Sequence, residues 1–305
     1  MAAAAQYPSR PVRVIVPYPP GASADVITRN VSQRLSEVLG QPFVVDNRVG
    51  AGGNIGLGLL AKAAPDGHTI GLGIASNVAA NLHLYKNLPY DPERDFSPIS
   101  LVASVPALFV ASMSVPAKDP RELAALAKAK PGSLSYASGG VGSLAHLSGE
   151  AFRVQAGIDV VHIPFKSASD IITSLLSNNV AYGFPVFSTA FAHVKAGKLR
   201  ALAVTGTKRH PLLPEVPTMY EAFPPGFDLD TWFALFAPAG TPRETVARLH
   251  AEVVKMMQDA AFVARFTSDG TEVRVSASPE ELAAYVRTEI VKWGNVIKAS
   301  GARMD

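Results

Sequence analysis

The fold of this chain is decided by a stretch near its beginning, Val12-Arg13-Val14-Ile15-Val16-Pro17-Tyr18-Pro19-Pro20-Gly21-Ala22-Ser23-Ala24-Asp25. It begins as a β-branched run, is broken by three prolines and a glycine, and continues into apolar residues at helical spacing. We predict a strand, a glycine turn and a helix that ends at Gly40, with Ser23 as the N-cap and Asp25 in the first turn. Such a turn leaves backbone N–H groups free at the helix start, where they can hold an anion. An ordinary strand-to-helix connection explains the same pattern and is favoured by this stretch taken alone; a second stretch of the same kind raises the weight of the anion site.

Two later stretches repeat the pattern. Residues 134–146 predict a strand, a turn rich in glycine and a helix with Ser143 as its N-cap. Residues 160–167 predict a further strand, followed by a helix from about 169 to 176. The order of strands and helices in the first hundred residues is βαβαβ, which favours a doubly wound parallel sheet.

Composition excludes several classes of protein. The chain has 305 residues, enough for two domains, and its net charge of +3 comes from scattered lysines and arginines. Neither a nucleic-acid groove nor a basic membrane patch is indicated. Cysteine is absent, which excludes disulfides, thiol catalysis and cysteine-bound zinc. Residues Met1–Ala5 are too short for a signal peptide, and we expect that any such peptide has been removed.

No set of residues predicts an enzyme. The glycines around Ser143 do not form a hydrolase nucleophile elbow, and no phosphate-binding loop with a Gly-Lys-Ser/Thr ending occurs. His146 and Glu150 share a helix face and could share a cation, but a structural histidine is favoured. Lys166 at a strand end favours an anion contact or a solvated charge over a Schiff base. We therefore expect no catalytic activity, no cofactor and no metal.

The same landmarks resemble the Bug family, the extracytoplasmic solute-binding proteins of tripartite tricarboxylate transporters. The matching segments, in chain order, are Tyr7–Gly21, Asn47–Gly56, Pro65–Thr69, Leu88–Pro92, Gly140–Leu147, Lys195–Thr205 and Leu213–Thr218. The resemblance covers nearly the whole chain from about Tyr7.

The resemblance implies an α/β fold of the type II periplasmic binding proteins, with two doubly wound α/β domains around a ligand cleft. Domain 1 is expected at residues 6–103 plus 231–305 and domain 2 at residues 104–230, with crossing strands near Leu101–Val105 and Asp228–Phe236. The resemblance also implies a periplasmic location and a monomer. Its partners would be a small-molecule carboxylate and the membrane permease subunits of the transporter, with no nucleic acid.

Family members hold a ligand carboxylate between their two lobes through loop amides, hydroxyls and water. The corresponding positions of this chain, with neighbouring residues expected to face the cleft, form the predicted ligand-binding set. That set is Tyr18, Gly21, Ala22, Ser23, Ser76, Ser138, Gly140, Val141, Gly142, Ser143, His146, Lys166, Ser167, Ala168, Phe184 and Pro185.

Three departures from the family pattern bear on the ligand. Lys166 is followed by Ser167 where the family usually has glycine, and Ala181 and Pro185 replace aspartates. In amino-acid binders of the family, an aspartate there can pair with the ligand ammonium. Its loss therefore argues against an amino-acid ligand.

Aromatic residues suggest what the ligand contacts in place of the missing aspartate. Phe165, Phe184 and Phe187 favour an apolar wall, with core packing as the alternative role. The expected ligand is a dicarboxylate with an aromatic or apolar middle, such as terephthalate. A small hydroxy- or tricarboxylate such as citrate or malate is the alternative ligand, and carboxylate sensing through a signalling receptor is the alternative role.

Overall fold

A computed structural model describes residues 7–206, 208–222, 229–268 and 270–304. The strands are β1 (Val12–Val16), β2 (Phe43–Asn47), β3 (Thr69–Ile74), β4 (Phe96–Val105), β5 (Leu108–Ala111), β6 (Ser135–Ser138), β7 (Val161–Pro164), β8 (Tyr182–Gly183), β9 (Arg200–Val204), β10 (Thr231–Pro238) and β11 (Glu272–Val273). The helices are α1 (Ser23–Leu39), α2 (Asn54–Ala61), α3 (Asn81–Leu84), α4 (Pro120–Ala129), α5 (Leu144–Ala156), α6 (Ala168–Leu176), α7 (Phe187–Lys195), α8 (Met219–Ala222), α9 (Arg243–Met256), α10 (Ala260–Phe266) and α11 (Pro279–Ser300). Among the helices of these ranges, none has the length and apolar character needed to span a bilayer.

The chain divides into two compact units. Unit 1 comprises Met1–Ser104 and Trp232–Trp293, and unit 2 comprises Val105–Thr231 and Gly294–Asp305. The crossing expected at Leu101–Val105 lies in β4, whereas the one expected from residue 228 begins outside the described residues and continues into β10.

Unit 1 is built on a six-stranded sheet in the order β11-β4-β10-β3-β1-β2. β1 pairs in parallel with β2 on one side and with β3 on the other. The β-branched run of β1 is buried almost throughout, since Val12, Ile15 and Val16 have no exposed surface. Continuous burial of this kind is typical of a parallel strand covered on both faces.

Unit 2 is built on a five-stranded sheet in the order β7-β6-β8-β5-β9. β6 pairs in parallel with β7 and β8, while β5 is antiparallel to β8 and β9. The predicted parallel order therefore applies to the strands that flank the glycine turns, and β10 also joins β3 in the antiparallel direction. Two strands that follow one another in the chain need a crossover connection in order to pair in parallel. β10 comes from a segment distant along the chain from β3, so this requirement does not apply to the pair.

Local sequence signals predict three further helix starts: Asp119 before Pro120 as an N-cap, and capping boxes at Thr241–Glu244 and Ser278–Glu281. Asp119 caps α4 as predicted, and Ser278 accepts the Glu281 N–H at the start of α11, which runs to Ser300. The predicted Thr241 cap of α9 is wrong, because its hydroxyl donates to the carbonyl of Pro238 and no side chain caps that helix.

Candidate functional site

The first predicted site residues form the turn between β1 and α1. Gly21 adopts a φ of +84°, which suits glycine, and its N–H donates to Oδ2 of Asp25 at 2.9 Å. Ala22 has the extended N-cap conformation and Ser23 is the first helical residue, so the prediction that Ser23 caps α1 is wrong. The reason is that Asp25 reaches back to the amide before the cap. The N–H groups of Ser23 and Ala24 have no acceptor within the helix.

Asp25 places a fixed negative charge at the start of α1. Its side chain is only 4% exposed and accepts hydrogen bonds from Arg29 Nε and Asn47 Nδ2, each at 2.9 Å. Burial alone would raise the pKa of Asp25, but hydrogen bonds from Arg29, Gly21 and Asn47 lower it below the usual value. The sequence identified an acid in the first turn but gave no indication of these three partners.

Tyr18 and Ser76 meet within unit 1. The Tyr18 hydroxyl lies 3.0 Å from Ser76 Oγ and donates to the carbonyl of Gly52 at 3.3 Å. Burial raises the pKa of Tyr18 to about 12, so the hydroxyl keeps its proton at neutral pH. Ser76 begins a π-helical turn, Ser76–Ala80, a feature common at functional sites. The pair presents hydroxyl groups suited to a polar ligand atom.

The second turn joins β6 to α5, and Ser143 is the N-cap of α5, as predicted. Ser143 Oγ accepts the His146 N–H at 3.2 Å and donates to the carbonyl of Gly140 at 2.7 Å. Gly142, with a φ of +79°, donates its N–H to His146 Nδ1 at 3.3 Å. The next two helical amides, at positions 144 and 145, have no acceptor within the helix. Val141 stands at the outside of the turn with 45% of its surface exposed.

A polar network that the sequence did not reveal supports this turn. Ser138 Oγ accepts the Gly140 N–H at 3.0 Å and lies 2.6 Å from His162 Nε2. The His162 ring stacks on Tyr136, whose hydroxyl donates to Glu150 Oε1 at 2.8 Å. Strand pairing brings these groups together, because Tyr136 of β6 and His162 of β7 are register partners. Residues this far apart in the chain leave no local signal of their contact.

His146 is a buried, neutral histidine. Its surface is 6% exposed and its ring centroid lies 4.6 Å from that of His162. Burial and the neighbouring His162 lower the pKa of His146 to about 4. The nearby Glu150 carboxylate binds Arg153 at 2.8 Å rather than a shared cation. In the described part of the chain no group of three or more potential metal ligands occurs.

Stability should depend on pH through His146. Folding lowers the pKa of His146 from its ordinary 6.5 to about 4, so between these values the unfolded chain binds more protons and stability rises with pH. We expect this residue to cost about 3 kcal/mol of unfolding free energy when the pH falls from 7 to 4. Urea denaturation of the wild type and of His146→Asn across this range measures it. The variant should lose less stability on acidification, and identical pH dependence in both proteins would contradict the prediction.

The third predicted turn is open to solvent. Lys166, Ser167 and Ala168 are all exposed, and Ser167 caps α6 by accepting the Asp170 N–H at 3.2 Å. The lysine therefore stands at the surface beside a capped helix start, where a charged side chain remains hydrated.

The aromatic wall proposed for the ligand is corrected by the positions of two rings. Phe184 is 1% exposed and stacks on Phe109 with ring centroids 4.4 Å apart, and Phe187 is fully buried against His210 at 3.7 Å. Both rings belong to the core of unit 2, because sheet packing places them inside; Phe165 is partly buried against the same core.

Pro185 is also buried, and its carbonyl accepts the Leu108 N–H at 2.9 Å. The apolar run at 180–184 predicts a strand, which the structure shortens to Tyr182–Gly183. Pro185 has no N–H to donate, and its backbone is already used in pairing with β5. Pro185 therefore affects the predicted site through the path of its backbone.

Two α/β units with glycine turns at the carboxyl ends of β1 and β6 define a periplasmic-binding-protein fold, as expected. The family described as "Tripartite tricarboxylate transporter family receptor" matches residues 27–302. The chain belongs to this family, whose members are solute-binding proteins and not enzymes. The resemblance noted from the sequence and the expectation of no enzymatic role are confirmed.

Individual relatives agree over nearly the full length. Protein BugT of Bordetella pertussis is 36% identical over 299 residues, covering 98% of this chain and 91% of the relative. The structure of Rpa4515 from R. palustris with adipate has a TM-score of 0.84 and 34% identity, covering 98% of this chain and 100% of that one. MatC from Rhodopseudomonas palustris with bound malate has a TM-score of 0.79 and 33% identity, covering 95% and 100%.

Proposed function

We propose that this protein captures a small dicarboxylate in the periplasm, as a monomer, and delivers it to the permease subunits of a tripartite tricarboxylate transporter. The observation that carries the proposal is the turn between β6 and α5. Ser143 and His146, both uncharged, organise that turn and leave helical N–H groups for an anion. Two similar proteins, Rpa4515 and MatC, are described with adipate and with malate, and both ligands are dicarboxylates.

Backbone donors are sufficient for useful affinity. A helix start contributes about 0.3–1 kcal/mol to anion binding, and about 2 kcal/mol when partly buried. Each charge-assisted hydrogen bond adds about 1.5–3 kcal/mol. A few such contacts, together with buried apolar surface, reach the roughly 8 kcal/mol of micromolar binding after ordering costs. An arginine clamp is therefore not required.

We propose that the turns of both units contribute to ligand binding. In unit 2 these are the Ser138–Ser143 turn with His146, and the exposed turn at 166–168. In unit 1 they are the turn at 21–23 and the Tyr18–Ser76 pair, whose hydroxyls suit a neutral oxygen of the ligand. Phe184 and Pro185 act through packing, since both are buried.

Two candidate ligand types differ in the section between their carboxylates. With Phe184 and Phe187 in the core, an aliphatic diacid such as adipate is supported at least as well as terephthalate. The second candidate is a hydroxy-dicarboxylate such as malate. It is favoured by the Tyr18–Ser76 hydroxyl pair and by the ligand of MatC.

Titration calorimetry against terephthalate, adipate, citrate, malate, glutamate and nicotinate tests the proposal. We expect micromolar binding of a dicarboxylate and no heat from nicotinate. Preference for malate would select the second candidate. Absence of binding across the whole panel would overturn the proposed function.

Delivery to a permease needs a separate experiment. Deleting the gene should abolish cellular uptake of the dicarboxylate that the protein binds, and restoring the gene should recover it. Intact uptake together with loss of carboxylate-induced gene expression would show the sensing role instead.

A further inference from the structure

Two buried carboxylates lie beside the places where the chain passes from one unit to the other. The three passages, in chain order, are Ser104 to Val105, Thr231 to Trp232, and Trp293 to Gly294. Glu289 belongs to unit 1 and Asp230 to unit 2, and they are 2% and 5% exposed. A carboxylate is costly to bury unless hydrogen bonds satisfy it, so the partners of each one show what it holds in place.

Glu289 connects two of the passages on the unit 1 side. Its Oε2 atom accepts the indole N–H of Trp232 at 2.8 Å and that of Trp293 at 3.2 Å. Trp232 is the first residue of unit 1 after the second passage, and Trp293 is the last before the third. Both indoles are buried, and Glu289 also pairs with Lys292. Hydrogen bonds to an ionised acceptor are strong, so this group of Trp232, Glu289 and Trp293, the Glu289 cluster, fixes two chain ends to each other.

Asp230 has the corresponding role on the unit 2 side. Its Oδ1 atom accepts the Thr205 hydroxyl at 2.7 Å, and Thr205 Oγ1 accepts the Ala107 N–H at 2.9 Å. Ala107 follows shortly after the first passage, and Asp230 directly precedes Thr231 at the second. The group of Ala107, Thr205 and Asp230, the Asp230 cluster, therefore fixes the first and second passages to each other.

The two clusters leave short segments between the fixed parts of the chain. In the second passage Thr231 alone separates Asp230 from Trp232. In the first passage, Ser104 pairs with Glu272 of β11, so residues 105–106 separate the unit 1 sheet from the Asp230 cluster. In the third passage, residue 294 is a glycine inside α11, and glycine weakens a helix interior. Hinge motions are absorbed by a few residues of this kind.

We propose that Glu289 and Asp230 are positioning residues for ligand capture. They fix the chain on either side of the passages, so the bending that accompanies ligand binding is confined to residues 105–106, 231 and 294. Each cluster then moves as one body with its own unit. This inference rests on the proposed function, because it assigns the movement by which the ligand is enclosed.

Removing the acceptor of a cluster should weaken ligand binding from a distance. When the passages are no longer fixed to each other, the ligand-free chain adopts more conformations, and binding has to order them. The apparent affinity falls with the fraction of molecules that are competent to bind. Glu289→Met lacks the acceptor oxygens, and we expect about a 10-fold loss of affinity for adipate, or for the panel member that the wild type binds best. Glu289→Gln keeps an acceptor oxygen and should bind within about 3-fold of the wild type.

The sequence provides two separate optical reporters of this movement. The two tryptophans of the chain are the indoles of the Glu289 cluster, and the absence of cysteine allows a dye to be attached to Thr231→Cys alone. The ligand should change the emission of the dye, because Thr231 bends. It should leave the tryptophan emission of the wild type unchanged, because the cluster stays intact. In Glu289→Met the tryptophan emission should respond to the ligand.

Asp230→Leu tests the second cluster. It removes the acceptor of the Thr205 hydroxyl, so we expect a similar loss of affinity, about 10-fold, while the tryptophan emission stays unresponsive because the Glu289 cluster is intact. Thr241→Val is the control, since it removes a buried hydrogen bond of unit 1, to the Pro238 carbonyl, outside both clusters. It should change neither the affinity nor the emission.

Thermal denaturation of each variant establishes that it is folded. If Glu289→Met does not fold, Trp293→Phe takes its place, because it removes one donor of the cluster and leaves Trp232 as the emitter. Wild-type tryptophan emission that shifts with the ligand, a dye at position 231 that does not respond, or wild-type affinity in both Glu289→Met and Asp230→Leu would overturn this inference while the proposed function stands. If the wild type binds nothing in the panel, the proposed function itself fails.

Discussion

Replacing Ser143 with aspartate is expected to abolish carboxylate binding while leaving the protein folded. Aspartate is as good an N-cap as serine, so α5 keeps its start. The same substitution puts a negative charge among the N–H groups of the turn. Two like charges about 4 Å apart near a protein surface repel by about 4 kcal/mol, which exceeds the contribution of the helix end. The dissociation constant measured by calorimetry should rise at least about 100-fold.

Ser143→Asn supplies the control, because asparagine also caps a helix but carries no charge. It should bind within about 10-fold of the wild type. Asp119 already shows that this fold accepts an aspartate cap, since its carboxylate accepts the N–H groups of Arg121 and Glu122 at the start of α4. Unchanged affinity in Ser143→Asp would remove the turn from the ligand site.

Short-range signals explain what the sequence predicted well. A capping residue and its helix lie within a few positions of each other, so Ser143 and Asp119 were predicted as caps from local sequence. The same locality explains the error at Ser23. Asp25 competes for the turn by reaching back to Gly21, and neither propensity nor spacing shows which of two neighbouring polar residues prevails.

Long-range packing explains what the sequence did not predict. Phe184 lies at a strand end that suits either a cleft or a core, and its stacking on Phe109 depends on the pairing of β5 with β8. The support of the glycine turn by His162 likewise depends on the register of β6 and β7. Strand alternation and helical periodicity in the sequence indicate which face of a strand or helix carries a side chain. They do not indicate which residues pack against that face.

The sequence predicts which residue types form the candidate site but not the contacts that its charged residue makes. Glycine, serine and histidine at 138–146 indicated an anion turn, and the structure gives it a capped helix start. That the matching turn of unit 1 carries a buried carboxylate emerged only from the contacts of Asp25 with Arg29 and Asn47. Two turns that look alike in sequence therefore differ in the side chain that braces the helix start, a carboxylate in α1 and an imidazole in α5.

Replacing Gly149 with alanine is expected to destabilise the protein by about 3 kcal/mol, although alanine favours helices by about 1 kcal/mol. A Cβ at Gly149 of α5 would lie 2.3 Å from Cε2 of Tyr136 and 2.8 Å from its Cζ. Tyr136 is fully buried, stacks on His162 and Tyr182, and donates to Glu150. The Tyr136 ring therefore cannot move away from the new Cβ without losing these contacts. Urea denaturation measures the loss.

The same substitution should weaken ligand binding without touching the ligand. Displacing Tyr136 shifts His162, which holds Ser138 at the base of the glycine turn, and we expect about a 10-fold loss of carboxylate affinity. Gly157→Ala is the control, because a Cβ there meets nothing within 4 Å. Its φ of +60° costs about 1–2 kcal/mol for a side chain, with no change in affinity. A Gly149→Ala protein as stable as the wild type would show that helix α5 and Tyr136 can separate, and that the turn does not depend on their contact.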